Sequence, residues 1–326
     1  MRLVRASALA AAACASILAL SACTGDASPS GGDGASVTIA VDSFTIGAPV
    51  FVAEDQGYFQ EQGLAVEPAI FQTGVEGIQA LTTGQADFAF GMDFAAVSSV
   101  SERLVVLGAT SSPEPGFHQF YMDSSLSSPE DLAGQAIGVL PGTAQAYSSQ
   151  RWLEAYGVED SVEQVEFPGV YELVGALRGG EIQGGFIFGV GIPEAEGIET
   201  ITQVGDDSEV LALQGMYLLS TRDYVEANPD TVEQMLTALG AANGYISEDM
   251  AGAAEITAAA TGGEAAVLQP SLEISNPGLR FTEEHRENLL NIQEFLIDNG
   301  EIPAETDIEG SIDLSILEGI DGAEVE

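Results

Sequence analysis

The sequence predicts an α/β protein of two similar lobes with parallel-type sheets, joined by a two-segment hinge. Three observations predict it. Short β-branched runs alternate with helix-length segments, an order that asks for parallel strands and right-handed crossovers. This β-α-β-α-β order occurs twice along the chain. The two copies also share punctuation. Ala80-Leu81…Gly84 returns as Ala176-Leu177…Gly180, an offset of 96 residues, and the helix-stopping Gly63 returns as Gly157.

The elements follow in order. Residues 1–22 read as a signal peptide, with Arg2 and Arg5 ahead of an apolar run that ends Leu20-Ser21-Ala22-Cys23. That end resembles a bacterial lipoprotein processing box, which implies cleavage before Cys23 and a lipid on its sulfur. Residues 23–36, rich in Gly and Ser, read as a flexible tether. Lobe 1 opens over 37–110 with a strand at Val37–Val41 and a helix from Pro49 to about Gln60, where proline suits the first turn. A strand at Leu64–Val66, a helix at Val75–Leu81 and a strand at Phe88–Phe90 complete the unit. Residues 111–215 carry lobe 2 with the hinge crossovers. Its strands are expected at 136–140, 162–167 and 186–188, and its helices at 144–156 and 170–177. Residues 216–326 return to complete lobe 1, with helices expected at 229–245, 251–269 and 281–299.

Composition excludes several classes of function. Of the two cysteines, Cys14 leaves with the signal, so an internal disulfide or thiolate metal site is not expected. The formal charge of −43 becomes −45 once Arg2 and Arg5 are removed, and all eight cations are arginines. A nucleic-acid partner would need a basic face, which this chain lacks. The acids are scattered rather than blocked and read as a solvated acidic surface. A positive mean hydropathy rules out wholesale disorder.

Longer motifs carry a family likeness. Pro49-Val50-Phe51-Val52-Ala53-Glu54-Asp55-Gln56-Gly57-Tyr58-Phe59 with Gly63-Leu64-Ala65-Val66 resembles the opening of the sulfonate/taurine/nitrate and thiamine-precursor binding proteins. Gly84-Gln85-Ala86-Asp87-Phe88-Ala89, Ser128-Pro129-Glu130-Asp131-Leu132-Ala133-Gly134 and Phe295 through Leu314 match later signatures, so the likeness covers most of 37–316. Departures are Gly180-Glu181-Ile182-Gln183-Gly184, where relatives often read Gly-x-x-Asp-Ala, and Asp42-Ser43-Phe44-Thr45-Ile46, which disfavours a pyrimidine ligand. The resemblance implies a type II periplasmic-binding-protein fold and an extracytoplasmic solute-binding lipoprotein, monomeric and without cofactor. It would deliver a small molecule to an ABC permease with a cytoplasmic ATPase.

In open parallel sheets ligands bind beyond the carboxyl ends of the strands, at the switch point. In lobe 1 that rule selects Ser43, Phe44, Thr73, Gly74, Met92, Asp93 and Phe94; in lobe 2 it selects Gly142, Thr143, Ala144 and Gly169, with Tyr147 one turn on. Leu140-Pro141-Gly142-Thr143-Ala144 turns a strand into a helix and offers N–H groups to an oxyanion, or else Thr143 caps its own helix. Phe44, Phe94 and Tyr147 could sandwich a flat ligand or belong to the core. Asp93 could meet a ligand ammonium or cap the helix it begins. With one carboxylate and no arginine in these loops, the expected ligand is a neutral or zwitterionic organic molecule, with sulfonates second. Arg151 is expected to pair with Glu154, and Arg178 to sit at its helix C-terminus.

Catalytic readings have little to stand on. His118 and His285 are not in metal-ligand spacing, and no GxSxG elbow, P-loop or GxGxxG opens a helix. His285, inside Glu283-Glu284-His285-Arg286-Glu287, is expected to be exposed, while His118 lies near the hinge and within reach of the cleft. A sensory receptor of this fold, or an enzyme on its scaffold, stay as the other two classes.

Overall fold

The computed structural model describes residues 35–42, 47–71, 73–113, 116–189, 191–210 and 213–326. Cys23, the signal segment, Ser43 and Phe44 lie outside the described residues. The chain runs β1 (Ala35–Asp42), α1 (Ala48–Asp55), α2 (Tyr58–Glu61), β2 (Leu64–Phe71), α3 (Gly74–Thr82), β3 (Phe88–Met92), α4 (Asp93–Ser98) and β4 (Leu104–Ser111). It then crosses to β5 (His118–Asp123), β6 (Ala136–Val139), α5 (Ala144–Tyr156), β7 (Glu163–Glu166), α6 (Val170–Gly179), β8 (Gly184–Phe188), α7 (Gly191–Glu196) and β9 (Ile201–Asp206). The return comprises β10 (Met216–Thr221), α8 (Arg222–Ala227), α9 (Pro229–Glu248), α10 (Met250–Thr261), α11 (Ala265–Glu273), β11 (Pro277–Phe281), α12 (Glu283–Asp298) and β12 (Glu324–Val325).

Two sheets result, ordered β12-β11-β4-β10-β3-β1-β2 and β7-β6-β8-β5-β9. Each contains the expected parallel trio, β2-β1-β3 in one and β7-β6-β8 in the other. Each trio continues into an antiparallel neighbour that the sequence reading did not foresee. β10 runs against β3, and β5 against β8. These are the strands by which the chain enters a lobe after each crossover, so the sheets are mixed. β2 carries Pro68, tolerable because β2 is the last strand of its sheet and no ladder partner needs its nitrogen.

Two expected helices are broken by glycine. The run from Pro49 stops at Asp55, and Gly57, at φ +79°, redirects the chain into α2. The stretch from 251 to 269 divides into α10 and α11 around Gly262, at φ +75°. Only glycine enters that left-handed region without strain. By contrast, α5 spans the residues its pattern predicted.

Lobe 2 is centred on Trp152, fully buried and stacked on Phe120 at 3.9 Å, with Phe186 edge-on to Phe120 at 5.0 Å. A Cβ on Gly138 of β6 would lie 2.6 Å from Leu173 Cγ, so the glycine lets α6 approach the sheet. In lobe 1, Ile39, Phe88, Ala89, Leu218 and Leu219 are wholly buried in the β3-β1-β10 centre. Among the described residues no helix is long and apolar enough to cross a membrane.

Candidate functional site

A cavity lies between the lobes, beyond the carboxyl ends of β3, β6 and β8. It encloses about 60 Å³, room for on the order of five waters, so the cavity is narrow.

Lobe 1 lines it with Thr73 and Gly74 at the start of α3, with Phe90, Gly91 and Met92 of β3, and with Ala95 of α4. Lobe 2 contributes Leu140, Thr143, Ala144 and Gln145 around the start of α5, Gly169 and Val170 at the start of α6, and His118 and Phe188. Three helices, of 9, 13 and 10 residues, thus point their N-termini at one space. Their first N–H groups and aligned dipoles favour acceptor-rich or anionic groups there. Among the described residues no arginine lines the cavity.

The turns that build it are held internally. Gln145, fully buried, accepts from Leu140 N–H at 2.9 Å and donates to the Gly138 and Phe186 carbonyls at 3.2 and 3.1 Å. This one amide ties the start of α5 to β6 and β8. The Thr143 hydroxyl donates to the Leu140 carbonyl at 2.7 Å and makes no cap for its helix. Thr73 does cap, accepting from Glu76 N–H at 3.3 Å. Gly142, at φ +72°, sits where the lobes meet, since a Cβ there would lie 3.2 Å from Val75 Cγ2. On another side Tyr147 of α5 stands edge-on to Phe295 of α12 at 4.9 Å, with Phe94 beyond it at 6.1 Å and the Arg151 guanidinium 5.8 Å over the Phe295 ring.

Six of the residues chosen from sequence therefore share the cavity wall: Thr73, Gly74, Met92, Thr143, Ala144 and Gly169. Three do not. Phe94 and Tyr147 are buried in the contact between lobes rather than in the cavity. Asp93, 2% exposed, faces the interior of lobe 1. Its carboxylate accepts from Gly215 N–H at 2.9 Å, the Tyr217 hydroxyl at 3.0 Å and the Asn288 amide at 2.9 Å. Burial raises its pKa to about 6, partly opposed by those bonds. With three donors already converging on it, Asp93 is a bolt between α4, β10 and α12 rather than a partner for a ligand ammonium.

His118 was placed near the cleft by its position in the crossover and proves to line it. Its Nδ1 is 2.6 Å from Asp207 Oδ2, and both side chains are almost wholly buried. Asp207 and Gln214, outside every motif, were missed. They come from the second crossover, and only the fold brings them to His118.

His285 overturns its expectation. It is 2% exposed because it occupies the third position of α12 and turns inward. Its Nδ1 accepts from Thr282 N–H at 3.2 Å, which leaves Nε2 to donate to the Ser112 hydroxyl at 2.8 Å. Burial and, second, Arg280 lower its pKa to about 4. Arg178 sits in the last turn of α6 as expected and also reaches Glu194 of α7 at 3.2 Å, and Arg151 pairs with Glu154 at 2.8 Å as expected.

Comparisons with known proteins agree with this architecture. The model of the family described as NMT1/THI5 like matches residues 45–252. Among solved structures, the alkanesulfonate-binding protein of Xanthomonas axonopodis pv. citri, bound to MOPS, superposes with a TM-score of 0.75 at 18% identity. That match covers 87% of this chain and 99% of that one. The periplasmic aliphatic sulphonate-binding protein of Escherichia coli gives 0.74 at 16%, covering 85% and 92%. The periplasmic nitrate-binding protein of Synechocystis PCC 6803 gives 0.71 at 13%, covering 88% of each chain. A search of curated protein sequences returns no match.

Proposed function

The chain belongs to the NMT1/THI5-like family, and from that premise we propose that it is an extracytoplasmic solute-binding protein that hands a small organic molecule to an ABC permease and its ATPase. The observation that carries the reading is the narrow cavity between two mixed α/β lobes, with three helix N-termini converging on it. Ligands bind in that place in open α/β sheets, and a clamp of two lobes can close on one.

The lining suggests the ligand's shape. Phe90, Met92, Leu140, Val170 and Phe188 suit an apolar body, while the helix N-termini suit an acceptor-rich head. A second, outer pocket shares Thr73 and Leu140 with the cavity and leads past Glu76, Pro141, Glu166 and Pro168. A zwitterion fits both ends, its oxyanion inward and its ammonium toward the acidic mouth. Glu76 and Glu166, rather than the inward-facing Asp93, supply the acidic side.

Lipid anchoring at Cys23 and a monomeric state complete the proposal. Labelling with a fatty acid should mark the membrane fraction of the native protein and be lost in Cys23→Ala; retained label would remove the anchor. For the solute, native mass spectrometry of the protein as purified should show a bound small molecule. A thermal-shift screen of organic zwitterions and anions should then give a ligand that stabilises by about 2.7 kcal/mol at 100 times its Kd. Turnover of the bound compound would overturn the transport reading.

A further inference from the structure

The group that connects the cavity to the rest of the molecule is the His118 imidazole. Three elements fix it. Asp207, fully buried in the turn after β9, accepts at Oδ1 from Gly116 N–H at 2.7 Å and at Oδ2 from His118 N–H at 3.2 Å. The same Oδ2 meets His118 Nδ1 at 2.6 Å, and the Gln214 amide also donates to it. Phe117 and Phe188 close on the ring edge-on, at 5.1 and 5.2 Å.

This arrangement decides the ring's chemistry. The bonds from His118 and Gly116 hold Asp207 below the ordinary carboxylate range in spite of its burial, so it is ionised and accepts only. Nδ1 must then be the donor to it. The opposite nitrogen, Nε2, engages no protein group among the described residues, and the ring lines the cavity. Nε2 therefore offers a lone pair when the ring is neutral and an N–H when it is charged. Among the described residues, Asp207 is the charged group that touches the ring; Gln214, Phe117 and Phe188 are uncharged.

We propose that His118 is the specificity-determining residue of the cleft, binding the oxyanion head of the solute through a protonated Nε2, with Asp207 and Gln214 as its positioning residues. The inference rests on the solute-binding reading and deepens it. A carboxylate or sulfonate oxygen at Nε2 accepts a charge-assisted hydrogen bond from the protonated ring. The imidazolium lies between two anions, the head and Asp207, while the helix N-termini bond the head's remaining oxygens. The location adds a mechanical consequence. Gly116 belongs to the first crossover and His118 opens β5 directly after it, while Asp207 and Gln214 belong to the second, so a ligand on Nε2 pulls on both hinge segments at once.

The chain has only two histidines, which makes the test clean. Tag-free protein with 15N-labelled imidazoles should show His118 and His285 as two resolvable rings in long-range proton–nitrogen spectra. The probes share a short carbon chain: 3-aminopropane-1-sulfonate, 4-aminobutanoate, butane-1-sulfonate, butylamine and butan-1-ol, each titrated with calorimetry in parallel. The expected result is that a probe with an oxyanion binds and moves His118 Nε2 to the protonated position while His285 stays unchanged. Calorimetry in two buffers of different ionisation enthalpy should report uptake of up to one proton. His118→Gln should weaken that probe about ten- to hundred-fold, the range for a lost charge-assisted hydrogen bond. Asp207→Asn should weaken it less and return Nε2 toward the neutral position.

Other outcomes overturn the inference. An oxyanion probe that binds without moving His118, and equally well to His118→Gln, removes His118 from the site and leaves solute binding intact. Binding of butylamine or butan-1-ol alone, with Nε2 still neutral, overturns the oxyanion class and again spares solute binding. If no probe binds and native mass spectrometry shows no small molecule on the purified protein, both readings fall together.

Discussion

His285 is a buried base in a chain whose other ionisable groups are overwhelmingly exposed acids, and its titration can be isolated. Its pKa is lowered to about 4 by burial, with a smaller contribution from Arg280, against 6.5 for a free histidine. The unfolded chain therefore holds the proton at a pH where the folded protein has shed it. The stability His285 contributes is complete above pH 6.5 and is lost as pH falls toward 4. The difference between those two pKa values corresponds to about 3 kcal/mol.

The variant to compare is His285→Gln. Glutamine at this third helical position can still accept from the Thr282 N–H, as the capping box requires, but it does not titrate. Urea unfolding of both proteins at intervals from pH 4 to 7 gives a stability difference in which the common carboxylates cancel. Wild type should gain on the variant by about 3 kcal/mol across that window. A difference that stays level within about 1 kcal/mol would mean that His285 titrates normally. The inward orientation at Ser112 would then be wrong.

Two further outcomes are expected. Asp93 has the opposite slope, because a folded pKa of about 6 lies above the free value of 3.8; its contribution is fullest at low pH and falls as pH rises from about 4 to 6. Wild type should lose about 3 kcal/mol relative to Asp93→Asn over that range, while the affinity for any oxyanion probe changes less than about twofold. A large affinity loss would return Asp93 to the ligand site. Phe295→Ala removes the ring on which Tyr147 and Arg151 rest, so small-angle scattering without ligand should show a larger radius of gyration. An unchanged profile would show that the aromatic contact does not hold the lobes together.

What could be read from the sequence was local. The α5 boundaries were legible because Ala144 and Gly157 bracket one uninterrupted helical pattern. The duplicated β-α-β-α-β order was legible because glycines recur at equivalent turns. The antiparallel strands β5 and β10 were not, because their partners lie about 65 and 125 residues away and no local pattern announces the pairing. The switch-point rule located the loop at Asp93 but says nothing about side-chain direction. Tyr217 and Asn288, from two distant elements, claim that carboxylate. At His285 the exposed acids on either side masked an inward-facing position.

The same distant pairings tie the second crossover to both lobes. Gln214 and Gly215 are adjacent on the second crossover, yet each is held by a different buried carboxylate. The Gln214 amide donates to Asp207 beside the cavity, and Gly215 N–H donates to Asp93 inside lobe 1. Tyr217, two residues on, bonds Asp93 again at 3.0 Å. Buried bonds to charged acceptors are costly to break, so this stretch cannot swing freely between lobes. It is fastened at one end to α4, β10 and α12 and at the other to the His118 imidazole. On the proposed binding mode, a solute at Nε2 would meet a ring already tied to the stretch that joins the lobes.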